Sequence, residues 1–277
     1  MRPSEGPGSI DAPVRVFSYD LGAGGKEFTR AIAVEAPVQI VLGGAPFAVM
    51  MATPRDLEDF AAGFVLTEQI AESVADIRGI EVEAVEDGWK LKIALSSERL
   101  QAHMARARAM SGRTGCGLCG IEDFSQMPSP RPPLDPPPAI EPAAIRAAIG
   151  ELEGWQPLNR ATRAVHAAAW CGRNGRILLS REDVGRHNAL DKAIGALARA
   201  RVAPDSGFFV ITSRCSFEMV AKAAIFGAGT LVSVSAPTSL ALERARRFGV
   251  RLIAVARADQ ALSFAGGKDE ASGGLAA

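Results

Sequence analysis

Two apolar runs near the start of the chain, Val38 to Leu42 and Pro46 to Met50, flank Gly43-Gly44. That is the pattern of two strands joined by a tight turn needing positive φ. The period then changes, because Leu57, Phe60, Ala61, Phe64 and Val65 recur at helical spacing, with Thr53 placed to cap the helix, Pro54 at its first position and Asp56 completing a capping box. Glu81 to Val85 and Trp89 to Leu95 alternate across Glu86-Asp87-Gly88 as a second hairpin, and a helical stretch follows from Glu98 to Met110. These elements predict a small N-terminal α+β subdomain over residues 13–127.

Eight of the 17 prolines lie between Pro128 and Pro142, so residues 128–142 read as an extended linker or surface strap. Beyond it the alternation becomes regular. Strands are expected at Arg176 to Ser180, Phe208 to Ser213, Thr230 to Ser235 and Val250 to Ala256. Helices are expected at Arg186 to Ala200, Ser216 to Phe226 and Thr238 to Phe248. Repeated β-α-β with short connections predicts an α/β domain over residues 143–265, a mainly parallel sheet with helices on its faces. The Gly-, Ser-, Pro- and Ala-rich ends, residues 1–12 and 266–277, read as disordered tails.

Ligands of such sheets bind at the carboxyl ends of strands, which turns attention to the strand-to-helix junctions. Three should open on one edge: the first carries Asp183, Arg186 and His187, the second Ser213, Arg214, Cys215 and Ser216, the third Ser235, Pro237 and Thr238. Each sets hydroxyls, an arginine or a small residue at a helix N-terminus, where free N–H groups and the helix dipole favour an anion. The simpler alternative is that Asp183, Ser213, Ser216 and Thr238 are only helix caps. Glu218 and Lys222, at i and i+4, read as a surface helix pair.

Composition narrows the partners. The 277 residues are 48% hydrophobic and 22% charged, and Lys+Arg and Asp+Glu are both 31, so no whole-molecule field draws the chain to nucleic acid or anionic membrane. An anionic ligand must therefore be held locally. Met1 to Asp20 carries no apolar core of signal length, and the uncharged stretch Ala223 to Leu242 is broken by Gly227, Gly229 and Pro237. A cytoplasmic location is expected.

Four cysteines in a chain this long suit a reducing compartment, and two of them stand as Cys116-Gly117-Leu118-Cys119. As half of a zinc site the pair lacks a second Cys-x-x-Cys, although His103, His166 and His187 exist. As a thioredoxin-like redox pair it should follow a strand at a helix start, whereas Gly115, Gly117 and Gly120 indicate a loop. A buried pair and an exposed sulfur carrier are the other two meanings. The carrier reading is the better physical fit, because successive loop N–H groups and Arg113 lower a thiolate pKa, while glycine flanks leave the sulfur open to attack. A zinc-dependent base deaminase requires a Glu two residues after its His and a Pro before its Cys-x-x-Cys, and neither is present. Cys171 follows an apolar run and reads as core, while Cys215 sits at a junction.

These segments resemble the FdhD/NarQ family, the sulfurtransferase accessory proteins of formate dehydrogenase, from about Val38 to Phe264. The resemblance is carried by Thr53-Pro54 and the helix to Glu68, by the run from Gly112 to Gly120 and by His166-Ala167-Ala168-Ala169. It extends through Arg181 to Lys192, Ser213 to Val220 and Ser233 to Ala241. Relatives often show Thr-Gly-Gly where this chain has Thr162-Arg163-Ala164. The resemblance implies a cytidine-deaminase-like layered sheet with helices on both faces, without zinc chemistry, usually in a homodimer. It implies a carrier that takes sulfur from a cysteine desulfurase and delivers it to the bis(molybdopterin guanine dinucleotide) molybdenum cofactor, for formate dehydrogenase. GDP would then mimic the cofactor. Cys116 would hold the persulfide with Cys119 as its partner, and the cofactor-contacting segment would fall on Val255-Ala256-Arg257-Ala258-Asp259-Gln260. A cofactor chaperone whose cysteines only grip a partner is the competing function, and a nucleobase-acting metalloenzyme a distant third.

Overall fold

The hairpin around Gly43-Gly44 forms as β3 (Ala36–Leu42) and β4 (Ala45–Ala52), with φ of 57° and 86° at the two glycines. The structure is a computed structural model and describes residues 5–18, 22–108, 130 and 133–265. The second hairpin is β5 (Ile77–Val85) and β6 (Gly88–Leu95), and β6 runs parallel to β3, giving a four-stranded sheet in the order β4-β3-β6-β5. Helix α1 (Leu57–Thr67) packs Leu57, Phe60, Ala61, Phe64 and Val65 against Val38, Ile40, Leu91 and Ile93 of that sheet, as the spacing predicts. Helix α2 (Ser97–Arg108) follows β6.

Thr53 does not cap α1. The helix starts four residues later, with Asp56 as its N-cap in left-handed backbone (φ 53°) and no side-chain cap. Thr53 is drawn instead into contacts with the second half of the chain. The expected N-terminal tail is also partly strand: Ser9 to Ala12 open β1 (Ser9–Ser18), which pairs antiparallel with β2 (Gly22–Ala33) as a separate ribbon. Alternating Ile10, Ala12 and Val14 opposite Ile32, Arg30 and Phe28 explain the pairing, and Gly6 N donates to Pro54 O.

The second half is a six-stranded sheet in the order β12-β11-β10-β9-β7-β8. Its strands are β7 (His166–Gly172), β8 (Ile177–Asp183), β9 (Gly207–Ile211), β10 (Thr230–Ser233), β11 (Arg251–Ala254) and β12 (Leu262–Ala265). β9, β10 and β11 are parallel; β7 lies antiparallel between β8 and β9, which leaves β8 running the same way as β9. The four strands β8 to β11 thus end on one edge, and the amino end of β7 at His166 joins them there. Ser213 and Ser235 fall beyond the strand ends, in the junctions themselves.

Helices α5 (Arg186–Arg199), α6 (Phe217–Phe226) and α7 (Ser239–Phe248) cover one face over Ala168, Trp170, Phe209, Ile211, Leu231 and Leu252. The alternate residues Ala169, Cys171, Phe208, Val210, Val232 and Ile253 meet Ala144, Ile145 and Ala148 of α3 (Pro142–Glu151) on the other. Both faces are apolar, as a sheet with helices on each side requires. A short α4 (Pro157–Thr162) ends at Arg163, whose φ of 58° is the conformation a glycine would take freely at that place.

Before α3 the described part of the proline-rich strap lies against the second half: Leu134 N donates to Phe248 O at 3.0 Å, and Ile140 is buried beside α3. The two halves meet where α1 crosses α5. A Cβ on Gly63 would stand 1.7 Å from Asp191 O, and one on Gly195 1.9 Å from Asp59 O, so only glycine lets the two backbones touch. Around this contact Asp59 pairs with Arg181 at 2.8 Å and Arg199 at 2.5 Å. Lys222 is buried, not a surface partner of Glu218: it bonds Thr67 Oγ1 at 2.8 Å, Asp191 at 3.0 Å and Glu68 at 3.1 Å. Burial alone would lower this lysine, but the Asp191 and Glu68 carboxylates outweigh it and hold Lys222 above its ordinary pKa. No helix among the described residues is long and apolar enough to cross a membrane.

Candidate functional site

The turn from β8 into α5 divides its residues into anchors and half-buried basic side chains. Arg181 is held by Asp59, and the Glu182 carboxylate accepts from Leu158 N at 2.9 Å and Asn159 N at 2.7 Å. Asp183 is fully buried: Oδ2 accepts from Lys192 Nζ at 2.5 Å and Thr53 N at 3.0 Å, and Oδ1 from Gly185 N at 2.7 Å and Asn188 Nδ2 at 3.0 Å. Four donors saturate a carboxylate, so the expected ligand contact from Asp183 is corrected to a structural anchor. Burial drove the difference, since a carboxylate in the interior needs every lone pair satisfied.

Arg186 and His187 then open α5, whose N-cap Gly185 offers no side chain to its first N–H groups. Arg186 Nε is a buried atom without a hydrogen-bond partner. His166, directly across from Asp183 in the β7–β8 pair, belongs to the same corner. Burial first, and then the Arg186 charge, hold its pKa below the ordinary histidine value. Sequence reading does not assign His166 to the site; its signal is a polar residue opening an apolar Ala-Ala-Ala-Trp strand.

The second junction adjoins the first. His187 Nε2 stands 3.4 Å from Glu218 Oε2, and Ser216 Oγ donates to the same carboxylate at 2.7 Å. The His187 ring outweighs burial here, and with the Ser216 hydroxyl it holds Glu218 down to about 2. Ser216 therefore leaves α6 without a side-chain cap. A depressed carboxyl gives stability that is fully present above its ordinary value of 4.5 and is lost as pH falls through about 2. Glu218→Gln should accordingly narrow its difference in melting temperature from the parent between pH 5 and pH 2; an unchanged difference across that window would contradict the pairing.

Ser213 is buried, its Oγ donating to Arg214 O at 3.1 Å and its carbonyl accepting from Ser233 Oγ at 3.0 Å, so it shapes the turn and does not face outward. Arg214 is exposed on the same turn. Cys215 bridges to the third junction, donating its N–H to Ala236 O and accepting from Thr238 N. Its thiol, like that of Cys171, is buried and pushed up to about 12. Thr238 is a true cap: its Oγ1 accepts from Ala241 N at 3.2 Å. Of the three helix starts, α7 is thus closed by its own side chain, while α5 and α6 are not.

The segment after β11 completes the edge. Ser235 O accepts from Val255 N at 3.2 Å, and Arg257 Nη1 donates to Val234 O and to Ala256 O. Val255 has φ 53°, a strained position for a β-branched residue. Ala256 is buried in the core beneath the edge and is corrected from a contact residue to packing, because its methyl fills the space beside Val232 and Ile253. Arg257, Ala258, Asp259 and Gln260 are exposed there. Cys116 and Cys119 lie outside the described residues.

The chain matches the FdhD/NarQ family over residues 33–269. It is 46% identical over 251 residues to the protein named Sulfur carrier protein FdhD of Xanthomonas axonopodis pv. citri, covering 91% of this chain and 88% of that one. Identity is 46% over 233 residues to the protein of the same name in Variovorax paradoxus, covering 84% of each. Among solved structures, a crystal structure described as a formate dehydrogenase accessory protein from Desulfotalea psychrophila is similar, with a TM-score of 0.71 and 27% identity over 93% of this chain and 97% of that one. With a family match across most of its length and relatives this close, the chain belongs to the FdhD/NarQ family.

Proposed function

We propose that this protein is a sulfur carrier in the service of formate dehydrogenase, and the observation that carries the proposal is its 46% identity to proteins named sulfur carriers across most of both chains. In this reading Cys116 is the acceptor. Its thiolate attacks the terminal sulfur of a persulfide on a cysteine desulfurase; the donor S–S bond breaks, the donor leaves as a thiolate, and Cys116 becomes the persulfide with no net oxidation. Cys119 is its partner. The recipient is the bis(molybdopterin guanine dinucleotide) molybdenum cofactor, as substrate, in a cytoplasmic homodimer of cytidine-deaminase-like layers.

The geometry supports an anionic substrate at the carboxyl edge. Two uncapped helix starts, α5 and α6, lie beside Arg186, His187, His166 and Arg214, and the buried Arg186 Nε has no hydrogen-bond partner. Free N–H groups and cations gathered in one corner suit a diphosphate. Thr238 is taken by its own helix, and Ser235 with the exposed residues 257–260 forms the far end of the edge, where the guanine would lie.

Incubation with a cysteine desulfurase and cysteine, followed by peptide mass spectrometry, should add one sulfur atom to the peptide carrying Cys116, in Cys119→Ala as in the parent. The buried thiols of Cys171 and Cys215 should stay unmodified, since at about 12 they are not thiolates at neutral pH. No added sulfur on that peptide under efficient desulfurase turnover overturns the carrier and leaves a chaperone that only grips its partners.

A further inference from the structure

The end of β4 meets the β8–α5 turn, and there a single residue of the first half uses all three of its polar groups. Thr53 is fully buried. Its N–H donates to Asp183 Oδ2 at 3.0 Å, its Oγ1 accepts from Val184 N at 3.2 Å, and its carbonyl accepts from Lys192 Nζ at 2.9 Å. Two residues earlier, Met51 O accepts from Asn188 Nδ2 at 2.8 Å. Met51 and Thr53 together contact Asp183, Val184, Asn188 and Lys192, which lie before, within and after the turn that sets Arg186 and His187 on the edge.

Most of this docking uses Thr53 backbone atoms, which any residue supplies. The hydroxyl is different. It is the hydrogen-bond acceptor for Val184 N, and Val184 is the first residue past Asp183, where β8 ends and the path to α5 begins. Asp183 cannot take over that N–H, because four donors already occupy it. A part-buried N–H that loses its partner either turns to find another or admits water, and turning it rotates the peptide that leads to Gly185 and Arg186.

We propose that Thr53 is a positioning residue for the anion-binding corner: its hydroxyl, reaching across from the four-stranded sheet, fixes the Val184 peptide and with it the aim of Arg186, His187 and the first N–H groups of α5. The proposal rests on the reading of that corner as a phosphate site. It adds that the strength of anion binding is set partly by how the first half is seated on the second.

The test compares Thr53→Val, which keeps the shape and loses the hydroxyl, with Thr53→Ser, which keeps the hydroxyl. GDP is the probe, measured by calorimetry on the full chain, and amide hydrogen exchange is followed over residues 184–188. Thr53→Val should bind GDP about tenfold more weakly, the effect of one hydrogen bond, and its 184–188 amides should exchange about tenfold faster; Thr53→Ser should stay within about twofold on both. Equal GDP affinity and equal exchange in Thr53→Val and the parent overturn the proposal, as does an equal loss in both variants. If the parent itself does not bind GDP, the phosphate-site reading fails, and the exchange comparison still decides whether the hydroxyl holds the turn. Should Thr53→Val not fold, Thr53→Ala, which cannot crowd the site, takes its place against Thr53→Ser under the same criteria.

Discussion

Asp183→Ala should lower the free energy of unfolding by about 3–5 kcal/mol, the cost of leaving a buried charge without its partner. Lys192 and Asp183 are both 0% exposed and 2.5 Å apart. Removing the carboxylate strands the Lys192 ammonium in the interior with only the Thr53 carbonyl, and a weak contact to Glu182 O at 3.5 Å, to receive it. It also frees Thr53 N, Gly185 N and Asn188 Nδ2 at once, so the seam and the turn loosen together. Urea unfolding followed by circular dichroism measures the loss. A second substitution, Lys192→Met, should recover part of it by removing the stranded charge. A loss below about 1 kcal/mol in Asp183→Ala would mean that Lys192 finds other solvation, contrary to its burial.

The second large effect concerns the crossing of α1 and α5. A glycine inside a helix is ordinarily improved by alanine, by about 1 kcal/mol. At Gly63 and Gly195 the sign should reverse, because the new methyl would stand 1.7 Å from Asp191 O or 1.9 Å from Asp59 O. These are backbone oxygens in helices packed on both sides, so neither can withdraw without parting the helices. Overpacking of this kind costs about 1–3 kcal/mol or more, and the separation would also stretch the Asp59 pairs to Arg181 and Arg199 and the Lys222 cluster. Each variant should therefore unfold at lower urea than the parent. The double variant should cost less than the sum, since one parting of the helices accommodates both methyls. A stabilised Gly63→Ala would refute the close contact.

Elements with a strong local pattern are legible in the sequence. Both hairpins, the apolar face of α1 and the alternation of β8 to β11 with α5 to α7 come from periodicity and turn chemistry, and the structure agrees within a few residues at their ends. β7 is not legible as a strand: with both faces buried, Ala167 to Cys171 shows no alternation. Thr53 carries a cap signature that tertiary contacts override, since Asp183 and Val184 satisfy it better than its own helix does. Lys222 looks like a surface residue because its partners, Thr67 and Glu68, lie on α1 and just past its end, more than 150 residues away in sequence. In the candidate site, periodicity and the strand-end rule together place three junctions on one edge. Which of them are caps and which are open depends on side-chain geometry: Thr238 turns inward to Ala241, whereas Ser216 is taken by Glu218. Spacing alone does not distinguish these cases.

Helix α1 belongs to both halves at once. Its apolar face is part of the interior of the four-stranded sheet, and its glycine face is part of the helical layer over the six-stranded sheet. Along the sequence the natural border is the proline-rich strap, the place where a protease or an engineer would look for a hinge. In space the border is centred on the α1–α5 surface, where two helices lie in backbone contact ringed by ion pairs. A displacement of one sheet therefore reaches the other by two routes, through α1 and through the Thr53 contacts with the β8–α5 turn.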